Sequence, residues 1–465
     1  MSELVDLLIT NGFLITMDSD RNLFRDGAVA IRGSDIVAVG QASELAAEYT
    51  AQRTIDAHGN VIMPGLINSH RHLLVSARGA LQEGMTTLEN LKRFVYPAFA
   101  ALDPEDNYWN SLASTAEMIR NGTTCFQEPG CTHLDSVVRA IDESGMRCSM
   151  GHWAWDQKGP NSAQCPENFY NMDTDECLTF LKDSYDRVHG LAGGRIKGAI
   201  TIEGVGTCSD ELSVGARALA DSLDTIFVQH KATSIQEVKN ELKAFGDRPV
   251  EHLYKIGALG PNVVLSHMTA LEDFEVDYVV ETGAMISHNP SSALKLSKGL
   301  TQTGKFPELL QRGATVGLGT DAENASNHSD IFRSMWLAVL LPRDARIDPS
   351  VTVAEDGLEM ATLNGARVAG WGGEVGALEP GMKGDVIIVD IHRPDMYPAI
   401  NIIQNLVYSA NGGCVTHTIV DGKVLMDDRE LTMIDEERVL RMAQERAEAL
   451  LKRIDYPTAY RWPVN

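Results

Sequence analysis

Strand-length apolar runs in this sequence repeatedly end on a residue able to ligate a metal. The run Val61–Ile67 leads into Asn68-Ser69-His70-Arg71-His72, FVQH ends at His230, VVLSH at His267, MISH at His288 and VGLGTD at Asp321. Two histidines two residues apart, just past a strand, aim both imidazoles at one point where a divalent cation would sit. A single such pair arises readily by chance in a chain with 13 histidines. A series of strand ends carrying the same chemistry does not, and it calls for a fold that gathers strand ends on one face.

Eight strand candidates can be marked between about 62 and 370: VIMPGLI, GTTCFQE, RCSMGH, IKGAITI, TIFVQH, NVVLSH, AMISHN and TVGLGTD. Helical stretches such as PEDNYWNSLASTAEMIRNG and SVGARALADSL lie between them. Eight strand–helix units in roughly 250–300 residues predict an α/β fold, a (β/α)8 TIM barrel, whose active sites form at the C-terminal ends of the strands. The ligand spacing agrees: 160 residues from His70 to His230, 37 from there to His267, and 54 on to Asp321.

Residues 1–61 read as short alternating strands with Gly-Asn and Gly-Ser turns, and a matching block, GMKGDVIIVDI and THTIVDGKVLM, returns within 371–430. Chain ends commonly lie close together, so the two blocks are expected to form one discontinuous β-sandwich domain around the 62–370 barrel. In the remaining 431–465, Glu436–Ile454 is a charged amphipathic helix with an expected solvated face.

The formal net charge of -24 argues against a nucleic-acid partner and against an anionic membrane surface. MSELVDLLITNG has acidic residues where a signal peptide carries basic ones, and no run approaches the ~20 apolar residues of a membrane span. Seven cysteines without a C-x-x-C pair suit a reducing compartment, with Cys125 and Cys148 as core residues and Cys208 as a loop thiol. A cytoplasmic protein acting on a small molecule is the expectation.

His70, His72, His230 and Asp321 supply the nitrogen and oxygen donors of a zinc-type centre that keeps one position open. A cation held there lowers the pKa of water to about 7. Asp321 is placed to take the water's proton, and His267, one strand beyond His230, to polarise a carbonyl and steady the developing oxyanion. His58, His133, His189, His252, His392 and His417 are expected to be ordinary core or surface residues. Trp153 and Trp155 follow the third strand on the same side and, with Trp109, Phe94 and Tyr96, are candidates for an apolar pocket wall.

The ordered set PGLINSHRH, VQH, LSH, HNPSSALKLSKG, GLGTD and LEPGMKGDVIIVD resembles the amidohydrolase superfamily, in its atrazine-chlorohydrolase and cytosine-deaminase-like branch, over essentially the whole chain. The resemblance implies one divalent metal (zinc first, with cobalt, iron or manganese as alternatives) on His70, His72, His230 and Asp321. It implies catalytic assistance from His267, substrate-side positions at His288, Asn289, Ser292 and Asn324, and assembly as a homo-oligomer.

One departure stands out. Aminohydrolases of that branch usually carry a Glu three residues after the fifth-strand His, where it shuttles a proton to a ring nitrogen. Here the run is His230-Lys231-Ala232-Thr233, and Lys231 alternates away towards the helical layer. Glu128 and Glu203, at other strand ends, are the possible replacements. Without that acid the easier chemistry is attack on an exocyclic carbonyl. The expected substrate is therefore a small apolar thiocarbamate, carbamate or urea, as in the molinate-hydrolase and phenylurea-hydrolase group of herbicide-degrading enzymes. The alternatives are an aminohydrolase or chlorohydrolase acting on a triazine, purine or pterin, and a non-catalytic barrel scaffold.

Overall fold

The computed structural model describes residues 2–73, 77–80, 83–159, 172–458 and 462–463. The N-terminal block forms β1 (Glu3–Ile15), β2 (Leu23–Arg32), β3 (Asp35–Gln41), β4 (Tyr49–Asp56) and β5 (Val61–Pro64). β1 pairs antiparallel with β2 and parallel with both β4 and β5. The run expected to be the first barrel strand is in fact divided. Val61–Pro64 completes the terminal sheet, and the chain crosses into the barrel at Gly65. A Cβ at Gly65 would lie 2.1 Å from the Thr124 side chain, so only glycine allows this close passage between the two sheets.

The barrel strands are β6 (Leu66–Asn68), β7 (Thr123–Cys131), β8 (Arg147–Ala154), β9 (Ile196–Gly198), β10 (Ile200–Ile202), β11 (Phe227–Lys231), β12 (Val263–His267), β13 (Met285–His288) and β14 (Val316–Leu318). All their pairings are parallel, and β9 and β10 are one stave interrupted at Ala199, which makes eight staves. Ser69 N donates to Leu318 O at 2.8 Å, joining the first stave to the last. The strands are buried on both faces, as parallel strands covered by helices must be. Several crossover helices start at side-chain caps. Asp103, Asp173 and Ser209 accept from the backbone N–H three residues on, each worth typically ~1 kcal/mol. This is the expected (β/α)8 architecture.

β15 (Val386–Val389), β16 (Val415–Val420), β17 (Lys423–Asp427) and β18 (Glu430–Leu431) return to the terminal sheet. β15 lies antiparallel to β5, with Ile388 opposite Ile62, so both chain ends share one continuous sheet of nine strands. Arg147, buried at the start of β8, fastens that sheet to the barrel. Its guanidinium holds both oxygens of Asp385 at 3.0 Å and Asp421 at 2.9 Å.

The C-terminal helix Glu436–Arg453 lies on the helix Pro104–Arg120. Part of its charge is docked rather than solvated: Arg446 and Arg453 both reach Asp103, at 3.4 and 3.3 Å. Trp109 is buried beneath this helix under the Arg438 guanidinium, far from its expected place in a pocket wall. No helix among the described residues is long and apolar enough to cross a membrane.

Candidate metal centre and its cavity

The C-terminal ends of β6, β11 and β12 and the turn after β14 deliver His70, His72, His230, His267 and Asp321 to one place. Ligand atoms of His70, His72 and His230 lie within 4.8 Å of one another, as do those of His70, His267 and Asp321. His72 Nε2 is 3.2 Å from His230 Nε2, and Asp321 Oδ1 is 3.8 Å from His70 Nε2 and 4.0 Å from His72 Nε2. All are buried.

The outward nitrogens of His70 and His230 are held from behind. Ser266 Oγ is 3.0 Å from His70 Nδ1, and His230 Nδ1 donates to Glu203 O at 3.0 Å. Glu128 Oε1 stands 3.7 Å from His72 Nδ1. The Ser266 and Glu203 contacts fix the His70 and His230 rings and leave their Nε2 atoms facing the centre, while His72 Nδ1 has no hydrogen-bond partner among the described residues. His70 Nε2 is buried with no hydrogen-bond partner among the described residues, as a nitrogen that ligates a cation would be. Burial, followed by the charges of His72 and His230, drives His70 well below the usual histidine range, and burial lowers His230 to about 3. Neutral imidazoles are the form that ligates. The donor set of three His and one Asp therefore fits a single divalent ion.

Strand alternation accounts for some positions and backbone strain for others. Ser266 faces the barrel interior, so His267 would point outward, but its φ of 82° turns the side chain back in. Asp321 likewise sits at φ 62°. Its backbone is tied down by Arg71, the residue between the two first-strand histidines. Arg71 donates to Asp321 O at 3.0 Å, Ser114 Oγ at 2.9 Å and Glu323 Oε1 at 2.5 Å. Asn289 Nδ2 and Lys298 Nζ lie 3.4 and 3.2 Å from His267 Nδ1, as donors to it. His267 Nε2 is then the nitrogen that carries hydrogen, 3.9 Å from Asp321 Oδ2. Burial raises Asp321, but Lys298 and then His267 outweigh it and hold the carboxyl well below the carboxylate range.

A cavity of about 700 Å³ opens over this cluster. Its walls include Leu91, Phe94, Val95, Trp153, Val205, Leu296 and Ala325, with Asn90, Glu203, Thr233, Lys298 and Asn324 as polar points. Trp153 and Asn324 line this cavity. Trp155 is behind, edge-on to Trp153 at 5.8 Å. Asn289 and Ser292 support from below rather than line the wall, Ser292 through Lys298 Nζ at 3.4 Å. His288 faces the other way. Ser287 bonds Ser69 across the barrel, so the next side chain points to the helices and stacks on Phe306 at 3.6 Å. Tyr96 reaches the site through its hydroxyl, which donates to Glu203 Oε1 at 2.9 Å. Lys298 and Arg71 were missed from sequence, although each lies inside a motif that was noticed.

Of the two carboxylates named as replacements for the missing acid, Glu128 lies outside the cavity wall, its oxygens accepting from Leu73 N and Gly130 N. Glu203 lines the cavity. Lys231 reaches Glu241 on the following helix, Ile235–Phe245, at 3.1 Å.

The model of the amidohydrolase family matches residues 61–425. The chain is 35% identical over 439 residues to a 5-methylthioadenosine/S-adenosylhomocysteine deaminase of Syntrophobacter fumaroxidans, covering 94% of this chain and 97% of the relative. It is 34% identical to a 5'-deoxyadenosine deaminase of Methanosarcina mazei, covering 97% and 100%. The crystal structure of an adenosine deaminase from Xanthomonas campestris with bound zinc superposes with a TM-score of 0.87 at 26% identity, over 97% of this chain and all of that one. An atrazine chlorohydrolase from Arthrobacter aurescens, with a TM-score of 0.85 at 23% identity over 95% of this chain and all of that one, shares the fold.

These relatives overturn the expectation of a thiocarbamate, carbamate or urea substrate, and with it the link to molinate and phenylurea herbicides. That expectation gave most weight to the missing carboxyl at position 233, with Glu128 and Glu203 as the only replacements weighed. Besides Asp321, the structure has a glutamate carboxyl in the cavity wall, Glu203, and another, Glu237, directly behind Thr233. With its eight-stave barrel, its strand-end His and Asp cluster and a family match spanning most of its length, the chain belongs to the amidohydrolase family.

Proposed function

We propose that this protein is a metal-dependent deaminase of purine nucleosides, with adenine nucleosides carrying an apolar 5′ substituent as its substrate class. The observation that carries the reading is the near-full-length likeness to 5'-deoxyadenosine and 5-methylthioadenosine deaminases at 34–35% identity. The cavity agrees with it. Leu91, Phe94, Val95 and Trp153 suit a flat base and an uncharged 5′ end.

His70, His72, His230 and Asp321 would hold one divalent ion, with zinc the first candidate. When bound, that ion supplies the Lewis acidity that makes water a nucleophile near neutral pH. Asp321 Oδ2 takes the proton released as water adds to the amino-bearing carbon, then passes it to the departing ammonia. His267 presents Nε2–H to the developing oxygen charge and is oriented by Asn289 and Lys298 through Nδ1. Asn90 and Asn324, joined at 3.2 Å, offer amide groups to the polar edge of the substrate.

The test is ammonia release from 5′-deoxyadenosine, 5′-methylthioadenosine, S-adenosylhomocysteine and adenosine by zinc-loaded protein, with conversion of the base to hypoxanthine followed by absorbance. Turnover of the first two is expected, ahead of S-adenosylhomocysteine, whose 5′ end carries a charged amino-acid group, and of adenosine, whose 5′ end is a hydroxyl. Chloride release from chlorotriazines with no ammonia from any adenine nucleoside would overturn the reading.

A further inference from the structure

Thr233 stands in the cavity wall three residues after His230. Its hydroxyl is bonded to Glu237 Oε2, and its backbone N–H donates to the same oxygen at 2.7 Å. Glu237 lies in the first turn of the helix Ile235–Phe245 and is completely buried. Its other oxygen, Oε1, has no hydrogen-bond partner among the described residues. The adjacent cation, Lys231, is bonded to Glu241. Burial, and then the neighbouring Glu241 carboxylate, push the Glu237 carboxyl well above the usual carboxylate range.

A neutral carboxyl behind Thr233 changes what the threonine can do. A hydroxyl has one hydrogen to give and two lone pairs to receive with. An ionised Glu237 would consume that hydrogen. A protonated Glu237 donates its own to Thr233 Oγ1 and frees the threonine hydrogen to point into the cavity. Glu203, the glutamate in the wall itself, has both oxygens engaged, by Tyr96 OH at 2.9 Å and Val205 N at 2.7 Å.

We propose that Thr233 and Glu237 form a two-residue proton relay to the ring nitrogen of the heterocycle, an inference that rests on the deaminase reading above. As the water oxygen bonds to the amino-bearing carbon, the C=N bond to the ring nitrogen becomes single. That nitrogen takes the Thr233 hydrogen while Thr233 takes the Glu237 hydrogen, so no alkoxide forms and Glu237 is left as the carboxylate. The C–N bond to the amino group then breaks, and ammonia leaves with the proton held by Asp321. The hydroxyl on the ring carbon becomes a carbonyl, and its proton returns through Thr233 to Glu237. Of the two water protons, one departs in ammonia and the other restores the relay, while the ring nitrogen keeps its hydrogen in the product.

The experiment measures kcat, KM and metal content for ammonia release from 5′-deoxyadenosine by the zinc-loaded wild type and by Thr233→Val, Thr233→Ser, Glu237→Gln, Glu203→Gln and the Thr233→Val/Glu237→Gln pair. Thr233→Val and Glu237→Gln should each lose about a hundredfold or more in kcat, with KM and metal content close to wild type. Thr233→Ser should restore most of the rate, and the pair should be no worse than either single change, as for groups acting in series. Thr233→Val at wild-type kcat, independent multiplying losses in the pair, or a loss confined to Glu203→Gln would each overturn the relay. Should Glu237→Gln fail to fold, Thr233→Val against Thr233→Ser decides alone. A wild type that deaminates while these variants match it sinks only the relay; a wild type that releases no ammonia from any adenine nucleoside sinks the functional reading too.

Discussion

Replacing Arg71 by Met should destabilise the protein and loosen its hold on metal together, and the size of the effect follows from what the guanidinium touches. Arg71 is fully buried and bonds Ser114 Oγ, Asp321 O and Glu323 Oε1. Methionine fills much of the same volume but leaves Glu323, only 4% exposed at its side chain, without its closest cation. Arg78, 3.6 Å away and half exposed, compensates in part. Breaking a buried pair by deleting one partner typically costs about 3–5 kcal/mol, and the Arg78 contact puts the expected loss near the lower figure. Asp321 also loses the bond that restrains its φ of 62°, so metal affinity should fall by about tenfold or more, the lower end for an outer partner of a metal ligand. Urea unfolding of metal-free protein gives the first number, and competition with a chelator gives the second. Adding Glu323→Gln to Arg71→Met should recover part of the stability, since the orphaned charge is gone, while metal affinity stays low. A single variant within about 1 kcal/mol of wild type would refute the argument, because it would mean that the buried carboxylate never depended on Arg71.

His230→Ala and Asp321→Ala should abolish turnover and most metal retention, whereas His267→Ala should lose turnover and keep most of its metal; elemental analysis beside the ammonia assay separates the two roles, and a metal-free His267→Ala with a loaded His230→Ala would reverse the assignment. Ser266→Ala removes the group behind His70 Nδ1 and should cost about 10–100-fold in metal affinity with little change in unfolding midpoint, a pairing that chelator titration and thermal melts check together. Gly130 has φ 144°, and a Cβ there would meet the Trp153 indole at 2.3 Å, so Gly130→Ala should push Trp153 out of the cavity wall. It should raise KM by about tenfold, the equivalent of 1.4 kcal/mol, and an unchanged KM would show that Trp153 does not contact the substrate.

The parts of this fold legible in the sequence are those set by local periodicity. Buried parallel strands read as unbroken apolar runs, and the residue just past such a run belongs to the barrel's C-terminal face, which is why His70, His230 and Asp321 could be grouped unaided. The same periodicity misplaced His288: whether the last residue of a strand points inward depends on which neighbours face the axis, and Ser287 takes that place. It places His267 at a strand end but does not say how the side chain turns in, since an inward His267 beside an inward Ser266 requires a positive φ that no residue type announces here. The division of VIMPGLI at Gly65 was invisible for a related reason, because both sheets ask for the same apolar residues and only the contact with Thr124 tells them apart.

The misreading of substrate has a deeper cause. Chemistry was inferred mainly from the residue type at Thr233, with replacements sought only among other strand-end side chains, Glu128 and Glu203, as though a proton donor must itself face the substrate. A helix that starts immediately after a strand end brings its first-turn residues back under the preceding loop, since successive residues rise by only about 1.5 Å. Here that return puts the carboxyl of Glu237 on both the backbone N–H and the hydroxyl of Thr233. The apolar setting that makes a buried charge costly also favours the protonated form of that carboxyl, so a group hidden from solvent is better suited to give up a proton than an exposed glutamate would be. A missing side chain in a wall is therefore weak grounds for excluding a reaction until the layer behind it has been inspected. In this barrel that layer is built from strand ends and the first turns of the following helices, and Ser266 behind His70, the Glu203 carbonyl behind His230 and Glu237 behind Thr233 all belong to it.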